Sequence, residues 1–132
     1  MRVLLDSNVW LAILTTDEFC RRAWRVARGR CQFSASQQIL DEIAEKLRVK
    51  FGFSARHARL MTFFVERQTE AVRVVSSINL CRDADDNQIL AAALDSGCSH
   101  LVTGDSDLLV LKKYEGISIV TPREFMELVS AA

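Results

Sequence analysis

The chain has 132 residues, 49% of them hydrophobic and 26% charged, with 17 basic and 17 acidic side chains. That length fits one domain with a real core, spanning residues 1–132, and zero net charge excludes a bulk polycation that binds nucleic acid by charge alone. One Pro and five Gly leave no room for a disordered linker, and no apolar run nears the ~20 residues that span a bilayer, so no membrane partner is expected.

In chain order, RVLLD (Arg2–Asp6) is a short Leu- and Val-rich run that predicts a buried strand, followed by a short helix over SNVWLAILT. Asp17–Gly29 predicts a second helix with Phe19, Ala23, Trp24 and Ala27 on one face and Gly29 as its stop. CQFSAS predicts a second strand. Ser34 and Gln37 have capping-box spacing, so a helix is expected from about Ser36 to Val49, and another from Ser54 to about Thr69. AVRVVS predicts a third strand, Asp85–Ser96 a helix closed by Gly97, and HLVT a fourth strand. LLVLKKY is expected as a short helix and ISIV as a fifth strand. Thr121, Pro122 and Glu124 then form a capping-box start for a last helix. Strands alternating with helices imply βαβ units: a three-layer α/β/α sandwich around a mostly parallel sheet of about five strands. Such sheets bind ligands at the carboxyl ends of their strands.

The four cysteines have no CxxC spacing and no neighbouring His, which predicts reduced thiols, a cytoplasmic setting and no zinc. The opening MRVLLDSNVW is too soon charged for a secretory signal. Between Cys20 and Arg59 stand ten Lys or Arg (Lys46 among them) against three acids, which leaves seven basic and fourteen acidic residues elsewhere. A basic segment facing an acidic site suits a polyanion bridged by cations, although two solvated helix faces give the same pattern.

The acids carry the functional argument. Asp6 ends the first strand and reads equally as the N-cap of the next helix. Asp86 falls in line with the stripe Ile89, Leu90, Ala93, Leu94 and Gly97, whereas Asp85 and Asp95 lie off it. A carboxylate on the core side of a helix start is costly unless it is paired, capping or bound to a metal. Glu42 flanks the stripe Ile39, Leu40, Ile43 and Leu47, a place that is usually plain surface. Asp105 follows the fourth strand as Asp6 follows the first, and Asp107 reads first as the cap of the short helix, or else as a further ligand. Ser7, Asn8 and Thr103 place hydroxyls and an amide nearby. Strand ends and helix starts of this kind can converge on one edge of a parallel sheet, where clustered carboxylates call for a hard divalent cation, Mg²⁺ or Mn²⁺. His57 and His100 read as structural or solvent-facing.

With these residues in view, the chain resembles the PIN-domain family along almost its full length, through VLLDSNVW, SASQQILDEIAEKL and DADDNQILAAALDSGCSHLVTGDSDLL. The resemblance implies a metal-dependent endoribonuclease, similar to VapC-like toxins of toxin–antitoxin pairs, with metal held by Asp6, Glu42, Asp86 and Asp105 and with Asp107 as a further acidic position. Ala84 stands where the related DPDD pattern has Pro. The resemblance also implies an RNA substrate cut to 5′-phosphate and 3′-hydroxyl ends, a cognate antitoxin, and the homodimerisation common in the family. Trp10, Trp24, Phe63 and Phe64 are candidate antitoxin contacts, although core packing accounts for most of them. Two phosphotransfer folds fit less well: DSN offers one acid where a haloacid-dehalogenase phosphatase needs D-x-D, and no Asp after CQF can serve as a receiver domain's phosphoacceptor. A non-catalytic RNA- or protein-binding module on the same fold is the remaining alternative, separated from the nuclease by metal-dependent turnover.

Overall fold

In the computed structural model, which describes residues 1–131, the elements are β1 (Arg2–Leu5), α1 (Ser7–Leu14), α2 (Glu18–Ala27), β2 (Gln32–Ser36), α3 (Gln37–Val49), α4 (Ala55–Gln68), β3 (Thr69–Val72), α5 (Ala84–Ser96), β4 (His100–Val102), α6 (Ser106–Leu109), β5 (Lys113–Tyr114), β6 (Ile117–Val120) and α7 (Pro122–Ala131). The strands form one sheet in the order β3-β2-β1-β4-β6-β5, parallel throughout except for the β5–β6 pair. Val3, Leu4, Leu5, Leu101 and Val102 are all buried, as apolar strands covered on both faces must be.

The chain leaves β1 for β2 and β3 on one side, then returns through α5 to β4 on the other side of β1. Right-handed crossovers that reverse direction put their helices on opposite faces, giving three layers. The reversal also opens a crevice between the carboxyl ends of β1 and β4, where open α/β sheets receive ligands. Among the described residues no helix is long and apolar enough to cross a membrane.

Among the described residues, six strands replace the expected five. The added strand is β5, which forms a hairpin with β6 through two loop residues, Glu115 and Gly116, that both have positive φ (49° and 82°), as a tight hairpin turn requires. It consumes Lys113 and Tyr114, and the expected LLVLKKY helix (108–114) gives way to a shorter, earlier one, Ser106–Leu109, that shares only Leu108 and Leu109 with it. The third strand lies earlier than AVRVVS because the N–H groups of Val75 and Ser76 donate to the Asp95 carboxylate rather than to a neighbouring strand. The cap of α3 is Ser36, accepting from the Ile39 N–H, not Ser34, which is buried in β2. The reciprocal Thr121–Glu124 capping box is present as expected, with hydrogen bonds of 3.0 and 3.1 Å.

Trp10 lies wholly inside, tilted against Trp24 (ring centroids 5.1 Å apart) and edge-on to Phe33, while Phe63 and Phe64 are exposed. Of the four candidate contact aromatics, then, Trp10 and Trp24 belong to the core and the two phenylalanines remain on the surface. The four thiols are free.

Candidate metal centre

Asp6 is the first residue after β1, and its N–H still donates to Val102 O at 2.9 Å, continuing the β1–β4 ladder. That bond fixes where the side chain begins. Oδ1 accepts from the Ser7 N–H at 2.7 Å, so Asp6 caps α1, and Oδ2 accepts from the Thr103 hydroxyl at 2.8 Å. The capping and functional readings therefore coexist. Thr103 is fully buried, and the same hydroxyl accepts from the Asp105 N–H at 3.0 Å. One hydroxyl thus ties together the acids that follow β1 and β4. Burial pushes the Asp6 carboxyl above its ordinary range; bonds from Thr103 and Ser7 oppose this, and the Glu42 and Asp105 carboxylates add to it.

Asp86 sits on the first turn of α5 with only 6% of its surface exposed, whereas Asp85 is exposed and Asp95 half-buried. The helical periodicity is confirmed there, although Leu94 at the far end faces outward. Asp86 does not cap the helix, because Asp83 does so by accepting from the Asp85 N–H at 2.9 Å. Among the described residues no N–H or O–H donates to the Asp86 carboxyl. It faces Asp105 instead. Burial, the Asp105 carboxyl beside it, and more distant charge on Asp83 and Asp6 push it up to about 7.

Asp105 caps α6 by accepting from the Asp107 N–H at 2.9 Å. This corrects the expectation that Asp107 is the cap: Asp107 lies inside the helix, and its exposed carboxylate pairs with Arg82 at 3.2 Å. Carboxylate oxygens of Asp86, Asp105 and Asp107 lie within 4.8 Å of one another. An octahedral Mg²⁺ or Mn²⁺ site spans roughly 4 Å between opposite oxygens, given metal–oxygen bonds of about 2.1 Å. The three acids therefore need only a small contraction around such an ion. The donors are all oxygen, which fits a hard cation, and a buried carboxyl with no protein donor is the group that cation would compensate.

Glu42 stands apart from that trio. It is half-buried on α3, as its flanking position predicts, and its Oε1 lies 2.8 Å from Lys46 Nζ. Lys46 also donates to Asn8 Oδ1 at 3.2 Å. Glu42 remains close enough for its charge to reach Asp6. The five sequence-predicted acids thus surround one edge of the sheet, three in a tight group, Asp6 bonded to Thr103 beside them, and Glu42 across from Asp6 under its own counterion.

Two features escape the sequence reading. Arg82, the counterion of Asp107, comes from a loop with no periodicity to mark it. That loop is fastened to α5: Asn87 Oδ1 accepts from the N–H groups of Leu80 (3.0 Å) and Cys81 (2.7 Å), and its amide donates to Cys81 O. The signal available for Lys46 was its four-residue spacing from Glu42 on one helix.

A family model described as PIN domain matches residues 2–107. A sequence relative, the uncharacterized protein MJ1680 of Methanocaldococcus jannaschii, is 33% identical over an alignment covering 96% of this chain and 90% of its own. Among solved structures, the fold is similar to VapBC2 from Rickettsia felis bound to a DNA fragment from their promoter (TM-score 0.68, 10% identity, 92% of this chain and 98% of that one). It is similar also to PAE2754 from Pyrobaculum aerophilum (TM-score 0.68, 17% identity, 100% and 91%) and to DNA-bound VapBC from Salmonella typhimurium (TM-score 0.63, 14% identity, 92% and 98%).

Proposed function

Because the chain belongs to the PIN-domain family, we propose that it is a metal-dependent endoribonuclease, a single PIN-like domain over residues 1–132 acting as the VapC-like toxin of a toxin–antitoxin pair. The observation that carries the reading is Asp86, a carboxyl buried at the mouth of the β1–β4 crevice, without a donor and facing a second acid. A fold that needed Asp86 only for stability would give it a hydrogen-bond donor or replace it by an apolar residue.

In this reading Asp86, Asp105 and Asp107 would hold Mg²⁺ or Mn²⁺, and Asp6 and Glu42 would complete the cation site as further ligands. A divalent cation held there would supply Lewis-acid chemistry, making a bound water more acidic and offsetting charge on the phosphate. The chain's own residues do the positioning. Thr103 holds Asp6 and Asp105 at a fixed separation, Asn87 holds the loop that carries Arg82, and Asn8 presents an amide two residues beyond Asp6. The recessed edge favours single-stranded RNA, whose scissile phosphate can reach it. Free thiols suit a cytoplasmic protein.

For the antitoxin, a groove of about 510 Å³ is lined by Ile13, Leu14, Trp24, Leu60, Met61 and Phe64 and edged by Arg21 and Arg25. Its apolar floor and basic edge suit an amphipathic antitoxin helix with acidic flanks. Two VapBC assemblies among the structural neighbours support a partner of this class.

The test is cleavage of labelled single-stranded RNA by antitoxin-free protein with Mg²⁺ or Mn²⁺, with EDTA, and by Asp86→Asn. Metal-dependent cleavage that vanishes in the variant is the expected result. A folded, metal-loaded protein that leaves a varied RNA panel intact would point instead to a binding role or to a very narrow RNA target.

A further inference from the structure

The acidic edge carries one basic group in a place the proposed chemistry has not yet used. Lys46 is two-thirds covered, as is Glu42, and its ammonium touches two elements at once: Glu42 on its own helix and Asn8 on α1, 38 residues away in sequence. An ordinary Glu–Lys pair one helical turn apart is solvated and contributes little. This pair is anchored across helices instead, beside the residue that follows β1. The cleft it borders, about 550 Å³, is lined by four carboxylates, Asp41, Glu42, Glu45 and Asp85, with Lys46 as the one cation among its lining residues. An RNA phosphate approaching four carboxylates is repelled until positive charge meets it.

We infer that Lys46 is a partner-switching residue, which neutralises Glu42 while the protein is free and turns its ammonium to an RNA phosphodiester oxygen when a divalent cation takes over Glu42. The inference rests on Glu42 belonging to the cation site, as proposed above. Three properties of the group fit this role. An ammonium has three donors, of which Glu42 and Asn8 use two. It is a compact charge on a flexible four-carbon stem, able to swing without moving the helix. And it competes with a divalent cation for the same Glu42 oxygen. By linkage, whatever draws Lys46 away from Glu42 tightens cation binding, and the cation tightens RNA binding by the same factor.

The test is a pair of measurements on Lys46→Met, with Lys46→Arg as the charge-retaining control. Mn²⁺ affinity without RNA is read from the electron paramagnetic resonance signal of free Mn²⁺. The KM for a mixed-sequence single-stranded RNA is read as a function of salt. Removing the competing charge should tighten Mn²⁺ binding about fivefold, while the lost phosphate contact raises KM about tenfold. The slope of log(kcat/KM) against log[salt] should become shallower by about 0.7 in Lys46→Met and stay at the wild-type value in Lys46→Arg.

Changes of opposite sign in metal and RNA binding are what a merely structural lysine cannot produce. If Lys46→Met weakens both, or if both variants match the wild type in Mn²⁺ affinity and salt slope, the inference is overturned while the nuclease reading stands. A wild type that takes up no Mn²⁺ and cleaves no RNA removes both.

Discussion

Replacing Asp86 with Asn should stabilise the metal-free protein and abolish its activity together. The wild-type carboxyl is buried against Asp105 and pushed from an ordinary value of 3.8 up to about 7. Below pH ~4 it is neutral in both folded and unfolded chains and costs nothing. Between about 4 and 7 the native state retains a proton that the unfolded state has released, so stability falls as pH rises; above about 7 the penalty is complete. A displacement of about three pKa units corresponds to roughly 4 kcal/mol as a ceiling. Relaxation of the part-exposed Asp105 and entry of water reduce this, and about 2 kcal/mol is the expected gain for Asp86→Asn above pH 7. For a chain of this size that is a rise in Tm of about 6 °C.

The assay is calorimetric melting of both proteins in EDTA from pH 4.5 to 8. The difference in Tm should be small at the acid end, widen with pH and level off near 7.5. The variant should also lose at least ~100-fold in metal-dependent cleavage, more than the loss typical for residues that only support a metal ligand. A variant less stable than wild type at pH 8, or a difference independent of pH, would refute the account of Asp86 as an uncompensated buried acid.

Mn²⁺ at about a hundred times its Kd should stabilise the wild type by about 2.7 kcal/mol and Asp86→Asn by much less, as read by thermal shift; equal shifts would place the ion elsewhere. Asn87→Ala frees the N–H groups of Leu80 and Cys81, so it should cost about 2 kcal/mol. Hydrogen exchange should then speed up at those two amides ahead of the core strands, and unchanged protection would mean that the loop is held by other contacts. Leu60→Glu, at a residue 57% exposed in the apolar groove, should leave Tm and RNA cleavage within error but weaken capture of a co-expressed antitoxin at least tenfold. Retained capture would move the antitoxin interface off this groove.

The parts of this molecule that were legible in its sequence are those fixed by local periodicity. A continuous apolar run gave β1 as a strand covered on both faces, and its last residue put Asp6 at the sheet edge. The 3.6-residue repeat of α5 turned Asp86 inward and Asp85 outward, and that of α3 left Glu42 on the flank. What was misplaced depends on competition for backbone groups between distant segments. AVRVVS has strand composition, but Asp95 takes two of its N–H groups and ends the strand at Val72. LLVLKKY has helical spacing, but a tight Glu115–Gly116 turn draws Lys113 and Tyr114 into pairing with β6.

The same division runs through the acidic edge itself. Negative charge converges there because strand ends and helix starts meet on one side of a parallel sheet, and each of those ends can be found by counting residues. The balancing positive charge follows no such rule. Arg82 meets Asp107 from 25 residues away, out of a loop shaped by the Asn87 side chain. Lys46 meets Glu42 one turn along the same helix, but its second contact, Asn8, belongs to another. A sequence therefore indicates where a hard cation is wanted before it indicates what occupies its place in the free protein. The two groups that do so, one lysine and one arginine, are the ones whose movement would accompany any change in what the acids bind.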